Sequence, residues 1–192
     1  MQDRPALPAR RRIAAAGAAA IALGALGATG CASVEPAQYA AEKPVLDLQR
    51  YFSGTVDGWG MVQDRSGKVL RRFTVEIRSS WNGDTGTLDE DFVWSDGEKQ
   101  KRIWTIRRLG PGRYSGTAAD VVGEATGIAA GNALNWRYVL ALPYGGRTLH
   151  VDLDDWMYLV DENTLLNRAT MSFWGLRVGE ITISFTRRPA GR

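Results

Sequence analysis

The chain has 192 residues, 44% hydrophobic, 9% aromatic and 23% charged, with one cysteine and one histidine. A single cysteine excludes an intrachain disulfide framework, and a single histidine excludes a His-rich zinc or copper centre. The net charge of +3 belongs to the first 30 residues, which hold four arginines and one aspartate and leave 20 basic and 20 acidic residues beyond them. With that balance the body of the chain gives no reason to expect a nucleic-acid partner.

Arg10, Arg11 and Arg12 precede an uncharged run from Ile13 to Gly27, which ends in Ala28-Thr29-Gly30 before Cys31. A basic start, a short apolar stretch and small residues at a cleavage point make a secretory signal peptide. The run is mostly Ala and Gly, with Ile13, Ile21, Leu23 and Leu26 as its strong apolar residues, so it is too weakly hydrophobic for a permanent span. With cysteine first after the cut, the segment resembles the lipobox of bacterial lipoproteins, with Ala28 where leucine is usual. The resemblance implies removal of residues 1–30 and lipidation of Cys31 by a thioether-linked diacylglycerol and an amide-linked acyl chain such as palmitate. Each buried CH₂ is worth about 0.8 kcal/mol, so such an anchor holds a membrane stably. Ala32, where retained inner-membrane lipoproteins usually carry Asp, points to the outer membrane, with the protein facing the periplasm. The arginine cluster hints at twin-arginine export, but the rest of that pattern is absent and general secretion is the default.

Residues 31–46 comprise Cys31 and a small, polar stretch broken by Pro36 and Pro44, which reads as a flexible tether. Residues 47–192 read as one domain. In it Phe73, Val75 and Ile77 share one face, as do Leu134, Trp136, Tyr138, Leu140 and Leu142, then Leu149, Val151 and Leu153, and then Ile181, Ile183 and Phe185. Alternation of this kind marks half-buried strands. Turns are supplied at Asp64–Gly67, Asn82–Asp84, Ser95–Gly97, Gly110–Gly112, Gly145-Gly146 and Asp161–Asn163. No stretch after residue 47 carries a sustained helical period. The expected fold is all-β: a single antiparallel, lipocalin-like barrel of about eight to ten strands in up-and-down order, with a two-sheet sandwich as the alternative.

Four segments carry a family resemblance: Tyr51-Phe52-Ser53-Gly54 with Gly58-Trp59-Gly60; Leu88–Phe92 with Ser95-Asp96-Gly97; Gly131–Tyr138; and Asp154–Tyr158. Together they resemble the bacterial lipoprotein family called domain of unknown function 3833. The resemblance implies an envelope protein of lipocalin-like shape and an association with genes for membrane fatty-acid modification. It implies no catalytic residues. True lipocalins carry Gly-x-Trp on their first strand. Here Gly54 fits, but Val56 stands at the tryptophan position and Trp59 lies at the opposite parity.

Candidate chemistry is sparse. Asp154 and Asp155 are neighbours, so on a strand they point to opposite faces and cannot converge without a bulge. A hairpin-end position, bonded to amides or to an arginine, is the simpler reading. His150 shares a polar face with Asp152, and no Gly-x-Ser-x-Gly elbow accompanies it. Asp89-Glu90-Asp91 lacks the spaced oxygens of a calcium loop and reads as a solvated hairpin flank. Arg137 and Asn135 oppose the apolar face of Trp136 and Tyr138. Arg137 is external if that face points inward, and binds a carboxylate headgroup if the parity is reversed. Gly123, Ala125, Gly127, Ala129 and Gly131 form a face without bulk, which leaves room inside a barrel or permits close packing. The residues expected to contact a ligand are therefore Gly123, Gly127, Trp136, Tyr138 and Arg137.

The leading expectation is an outer-membrane lipoprotein whose barrel binds or shields an apolar ligand, such as a fatty acid or lipid fragment, without metal or cofactor. A structural lipoprotein with a filled barrel is the alternative. A cofactor-independent enzyme on lipid-derived substrates, using Asp154, Asp155 or Arg137, is a third reading. A filled interior favours the second, and a cavity with converging carboxylate and arginine favours the third.

Overall fold

The computed structural model describes residues 33–189, so the signal segment and Cys31 lie outside the described residues. Ten strands follow one another: β1 (Gly54–Asp64), β2 (Val69–Asn82), β3 (Thr85–Trp94), β4 (Lys99–Gly110), β5 (Arg113–Thr117), β6 (Val121–Ala130), β7 (Ala133–Tyr144), β8 (Arg147–Leu159), β9 (Thr164–Phe173) and β10 (Leu176–Arg187). Each pairs antiparallel with the next, and β10 returns to β1, running from Val56↔Arg187 to Asp64↔Gly179. The result is a closed up-and-down barrel. Closure leaves no strand edge unpaired, which excludes the two-sheet sandwich.

Alternation decides the inside. Val56 of β1, Phe73, Val75 and Ile77 of β2, Leu134 and Trp136 of β7, Val151 and Leu153 of β8, and Phe185 of β10 are all buried. The outer face is charged. Arg78 pairs with Glu76 and Asp91, Lys101 with Asp89 and Asp91, and Arg188 with Asp57 and Glu76. Exposed pairs of this kind are worth roughly 0–1 kcal/mol each and serve solubility more than stability.

One end of the barrel is closed by a short helix that the periodicity does not announce. Asp47 caps α1 (Leu48–Tyr51) by accepting a 2.9 Å bond from the Arg50 amide. From this one turn, Gln49 bonds to the Gly83 carbonyl, Arg50 reaches Glu162, and the Tyr51 hydroxyl donates to the Asn163 carbonyl at 3.0 Å. Those partners belong to the β2–β3 and β8–β9 turns, so the helix lies across the barrel end. Leu48, Tyr51 and Phe52 are buried there with Val56, Ile77 and Phe185. Trp81 completes the seal, its indole N–H donating to the Phe52 carbonyl at 2.9 Å.

The tether expected over 31–46 is corrected in its described part. Pro36–Tyr39 forms a 3-10 turn with Pro36 buried, and the Tyr39 ring packs on Trp156 and Tyr158 at 6.0 and 5.4 Å between centroids. The Leu46 amide donates to the Gly131 carbonyl at 2.8 Å, and the Leu46 side chain is buried. Gly131 (φ +54°) is required here, because any Cβ would strike the Tyr39 carbonyl. A segment of small residues still docks when Pro36, Tyr39 and Leu46 give it apolar anchors at suitable intervals.

Candidate functional site

Away from the α1 cap the interior is not filled. A cavity of about 800 Å³ is lined by Phe73, Phe92, Trp104, Trp136, Leu140, Met171 and Ile183, among others. Small-molecule sites typically occupy about 300–1,000 Å³. Leu70, Arg71, Trp94, Leu142 and Tyr144 line it toward the β1–β2, β3–β4 and β7–β8 turns. There Arg71 stacks over Trp94 at 4.1 Å and is held by Asp96 at 2.7 Å and Glu98 at 2.9 Å.

Charged groups also face this cavity, placed by strand parity. Glu90 stands on the inner face of β3 between Leu88 and Phe92, directly opposite Arg102 of β4. Arg102 is clamped by Asp120, from the turn before β6, through Nε at 3.0 Å and Nη2 at 2.7 Å. Its Nη1 lies 3.9 Å from Glu90, beyond hydrogen-bond range. Asp155 enters from β8 beside Trp136 and accepts a bond from the Asn167 amide of β9. Trp104 meets Trp136 at 5.7 Å and Tyr138 at 5.4 Å, both edge-on, and the three rings line the same cavity.

Burial governs their ionisation. Desolvation pushes the Glu90 carboxyl up to about 7, against the lowering influence of Arg102 and with the added repulsion of Asp120 and Asp155. Desolvation likewise raises Asp155 to about 7, opposed by its bond from Asn167. Burial works against the Arg102 charge, but the Glu90 carboxylate, with Tyr138 and Asp120, outweighs it and the guanidinium stays protonated. The Tyr138 hydroxyl is raised by burial and by the Asp155 charge.

Of the residues expected to contact a ligand, Trp136 and Tyr138 line the cavity. Gly127 faces the interior, but the Trp136 ring lies where its side chain would be, so at this position the small face is filled by indole and leaves no space. Gly123 sits at a register break in β6 with φ +71° and does not line the cavity. Arg137 is corrected to an outer position. Its side chain is about half exposed and donates to Asp154 at 3.3 Å, because Trp136 and Tyr138 take the inner face. Asn135 also bonds Asp154, at 2.6 Å. Asp154 and Asp155 thus divide between outside and inside. Asp89-Glu90-Asp91 divides the same way, in mid-strand rather than at a hairpin flank. His150 is exposed on the outer face. Cys31 lies outside the described residues.

Glu90, Arg102, Asp120, Asp155 and Asn167 were not among the expected ligand contacts, and of them Asp155 alone stands in the enzyme reading. A signal existed for three of them. Glu90 interrupts Leu88-x-Glu90-x-Phe92, Asp155 extends Val151-x-Leu153, and Arg102 precedes Trp104-x-Ile106, each a charge at the parity of an apolar face. Asp120 and Asn167 carry no such mark. Among the described residues, no three His, Cys, Asp or Glu side chains converge to hold a metal ion.

The fold is shared with proteins of little sequence similarity. The S-type phycobiliprotein lyase CPES from Guillardia theta superposes with a TM-score of 0.56 at 5% identity, over 76% of this chain and 95% of that one. Rv2717c from M. tuberculosis superposes with a TM-score of 0.55 at 15% identity, over 77% of this chain and 99% of its own. At these identities the likeness is one of fold alone. No curated protein matches the chain. The profile of the family described as "Protein of unknown function (DUF3833)" matches residues 25–187, and the chain belongs to that family.

Proposed function

We propose that this protein is a lipid-anchored carrier of the bacterial cell envelope. Cys31 holds it on the periplasmic face of the outer membrane, and the barrel accommodates one small ligand with a lipid-like apolar body. The observation that carries the binding half is the cavity of about 800 Å³ above a sealed barrel end. Support for the anchoring half comes from the run of arginines, apolar residues and small residues before Cys31. The barrel is apolar within and charged without, the reverse of a transmembrane barrel, so attachment would fall to an anchor. The experiment for binding is mass spectrometry of an organic extract from Cys31→Ser protein purified without detergent, which should yield one apolar compound in near-equimolar amount. For anchoring, metabolic acyl labelling should mark the wild-type chain and leave Cys31→Ser unlabelled. Label on the serine variant overturns that half.

One observation favours a second reading, a cofactor-independent enzyme. Glu90 and Asp155 titrate near neutral pH inside a cavity, as groups exchanging protons with a bound molecule do. A defined chemical conversion of the extracted compound by wild-type protein, absent in Glu90→Gln, would establish it.

A further inference from the structure

The polar wall of the cavity has an excess of acid. Glu90, Asp120 and Asp155 face it from β3, the β5–β6 turn and β8, against the single guanidinium of Arg102. That guanidinium already has two carboxylates against it, since Asp120 engages two of its nitrogens and Glu90 lies 3.9 Å from the third. The other cation on the lining, Arg71, is held at the mouth by Asp96 and Glu98. Glu90, 9% exposed, accepts no hydrogen bond from any described residue, although it faces an open cavity. Asp155, 7% exposed, has one side-chain donor, Asn167. The rings of Trp104, Trp136 and Tyr138 stand edge to face on the same wall.

Unused carboxyl oxygens beside aromatic faces attract cations, which gain from both the charge and the ring quadrupole. We propose that the ligand of this cavity is an apolar body ending in an organic ammonium group, seated between Glu90 and Asp155, and that carboxylate-ended lipids are disfavoured. This rests on the carrier reading and narrows it. A carboxylate at the same place would face three acids, and the one cation there, Arg102, is already paired with two of them. With Glu90 and Asp155 titrating about 7, deprotonation above that pH adds negative charge to the seat. Arg102, Asp120 and Tyr138 are the other ionisable groups facing them within the barrel, Asp89 and Asp154 act on them from the outer face, and Asn167 is the neutral donor.

The test uses Cys31→Ser protein and displacement of N-phenyl-1-naphthylamine, a neutral apolar probe, by dodecyltrimethylammonium, dodecanol or dodecanoate below their micellar concentrations. At pH 8 the ammonium compound should bind at least tenfold more tightly than dodecanoate. Its affinity should rise several-fold from pH 6 to pH 8, while that of dodecanol stays constant. In Glu90→Gln/Asp155→Asn the preference for ammonium over dodecanoate should disappear with probe binding retained. Probe binding with dodecanoate equal to or tighter than the ammonium compound, or a preference unchanged in the double variant, overturns this inference and leaves the carrier reading intact. Failure of the probe to bind at all overturns the carrier reading itself.

Discussion

The two ends of this barrel are made from the same strands and the same alternation, yet they are packed for different ends. At the capped end, α1 and Phe52 meet Val56, Ile77, Leu159, Leu165 and Phe185 in a continuous buried cluster. At the other, the strands enclose space, and Glu90, Arg102 and Asp155 occupy positions that alternation would give to apolar side chains. The first arrangement follows from hydrophobic burial alone. The second keeps buried ionisable groups and open volume, both unfavourable to stability. A fold that tolerates them beside a well-packed floor separates its packed part from its open part along the barrel axis.

Core truncation breaks this comparison most forcefully. Leu165→Ala, at a fully buried position of the capped end, should cost about 3 kcal/mol in urea unfolding. Ile183→Ala, on the cavity wall, should cost about 1 kcal/mol, because its side chain already borders open space. Equal losses would mean that the cavity is not open in solution. Gly127→Leu comes next. Its side chain must displace the Trp136 ring, so stability should fall by about 2 kcal/mol, with an altered tryptophan emission spectrum. An unperturbed, stable variant would show that Trp136 does not cover the small face.

The pH dependence of stability sharpens the contrast further. Glu90 rises from 4.5 to about 7 and Asp155 from 3.8 to about 7 on folding, so between about pH 4 and 7 the native state binds more protons than the unfolded state. Stability from these two groups is therefore fully present below pH 4 and is lost as pH rises through 7. On the outer face Glu76 and Asp91 have lowered values, through bonds from Arg188 and Arg78 respectively, and act with the opposite sign, losing stability as acid protonates them. Glu90→Gln/Asp155→Asn should remove the decline between pH 5 and 7.5 and keep the acid limb, as measured by thermal unfolding across pH. A decline that persists in the double variant would assign it elsewhere. The smallest effect belongs to the outer wall, where Arg137→Ala breaks a half-exposed pair and should change stability by less than about 1 kcal/mol. It should leave probe affinity unchanged.

The strands were legible because half-buried β-structure writes its period into the sequence: Phe73-x-Val75-x-Ile77 and Leu134-x-Trp136-x-Tyr138 gave face and parity directly. Parity also put Trp136 and Tyr138 on one face and split Asp154 from Asp155, but which face turns inward is decided only by closure of the barrel. What alternation cannot report is how far a side chain reaches across the barrel. Gly127 looked like vacant space because alternation along β6 does not show that its paired residue on β7, Trp136, turns its indole over the glycine. The docking of 34–46 was hidden for a different reason: three anchors, Pro36, Tyr39 and Leu46, have no period, and the partners of Tyr39 and Leu46 lie more than 80 residues away. Glu90 and Arg102 were visible as charges on apolar faces, but their convergence depends on the β3–β4 register, which fixes Glu90 opposite Arg102.

In the carrier proposed above, the space over the packed floor takes up an apolar molecule. Titration of N-phenyl-1-naphthylamine into Cys31→Ser protein, with and without Met171→Trp on the cavity wall, tests it most directly. Saturable one-to-one binding is expected, reduced at least tenfold by Met171→Trp while circular dichroism keeps its β-sheet form. Absence of saturable binding, or equal binding by the folded Met171→Trp protein, would contradict it.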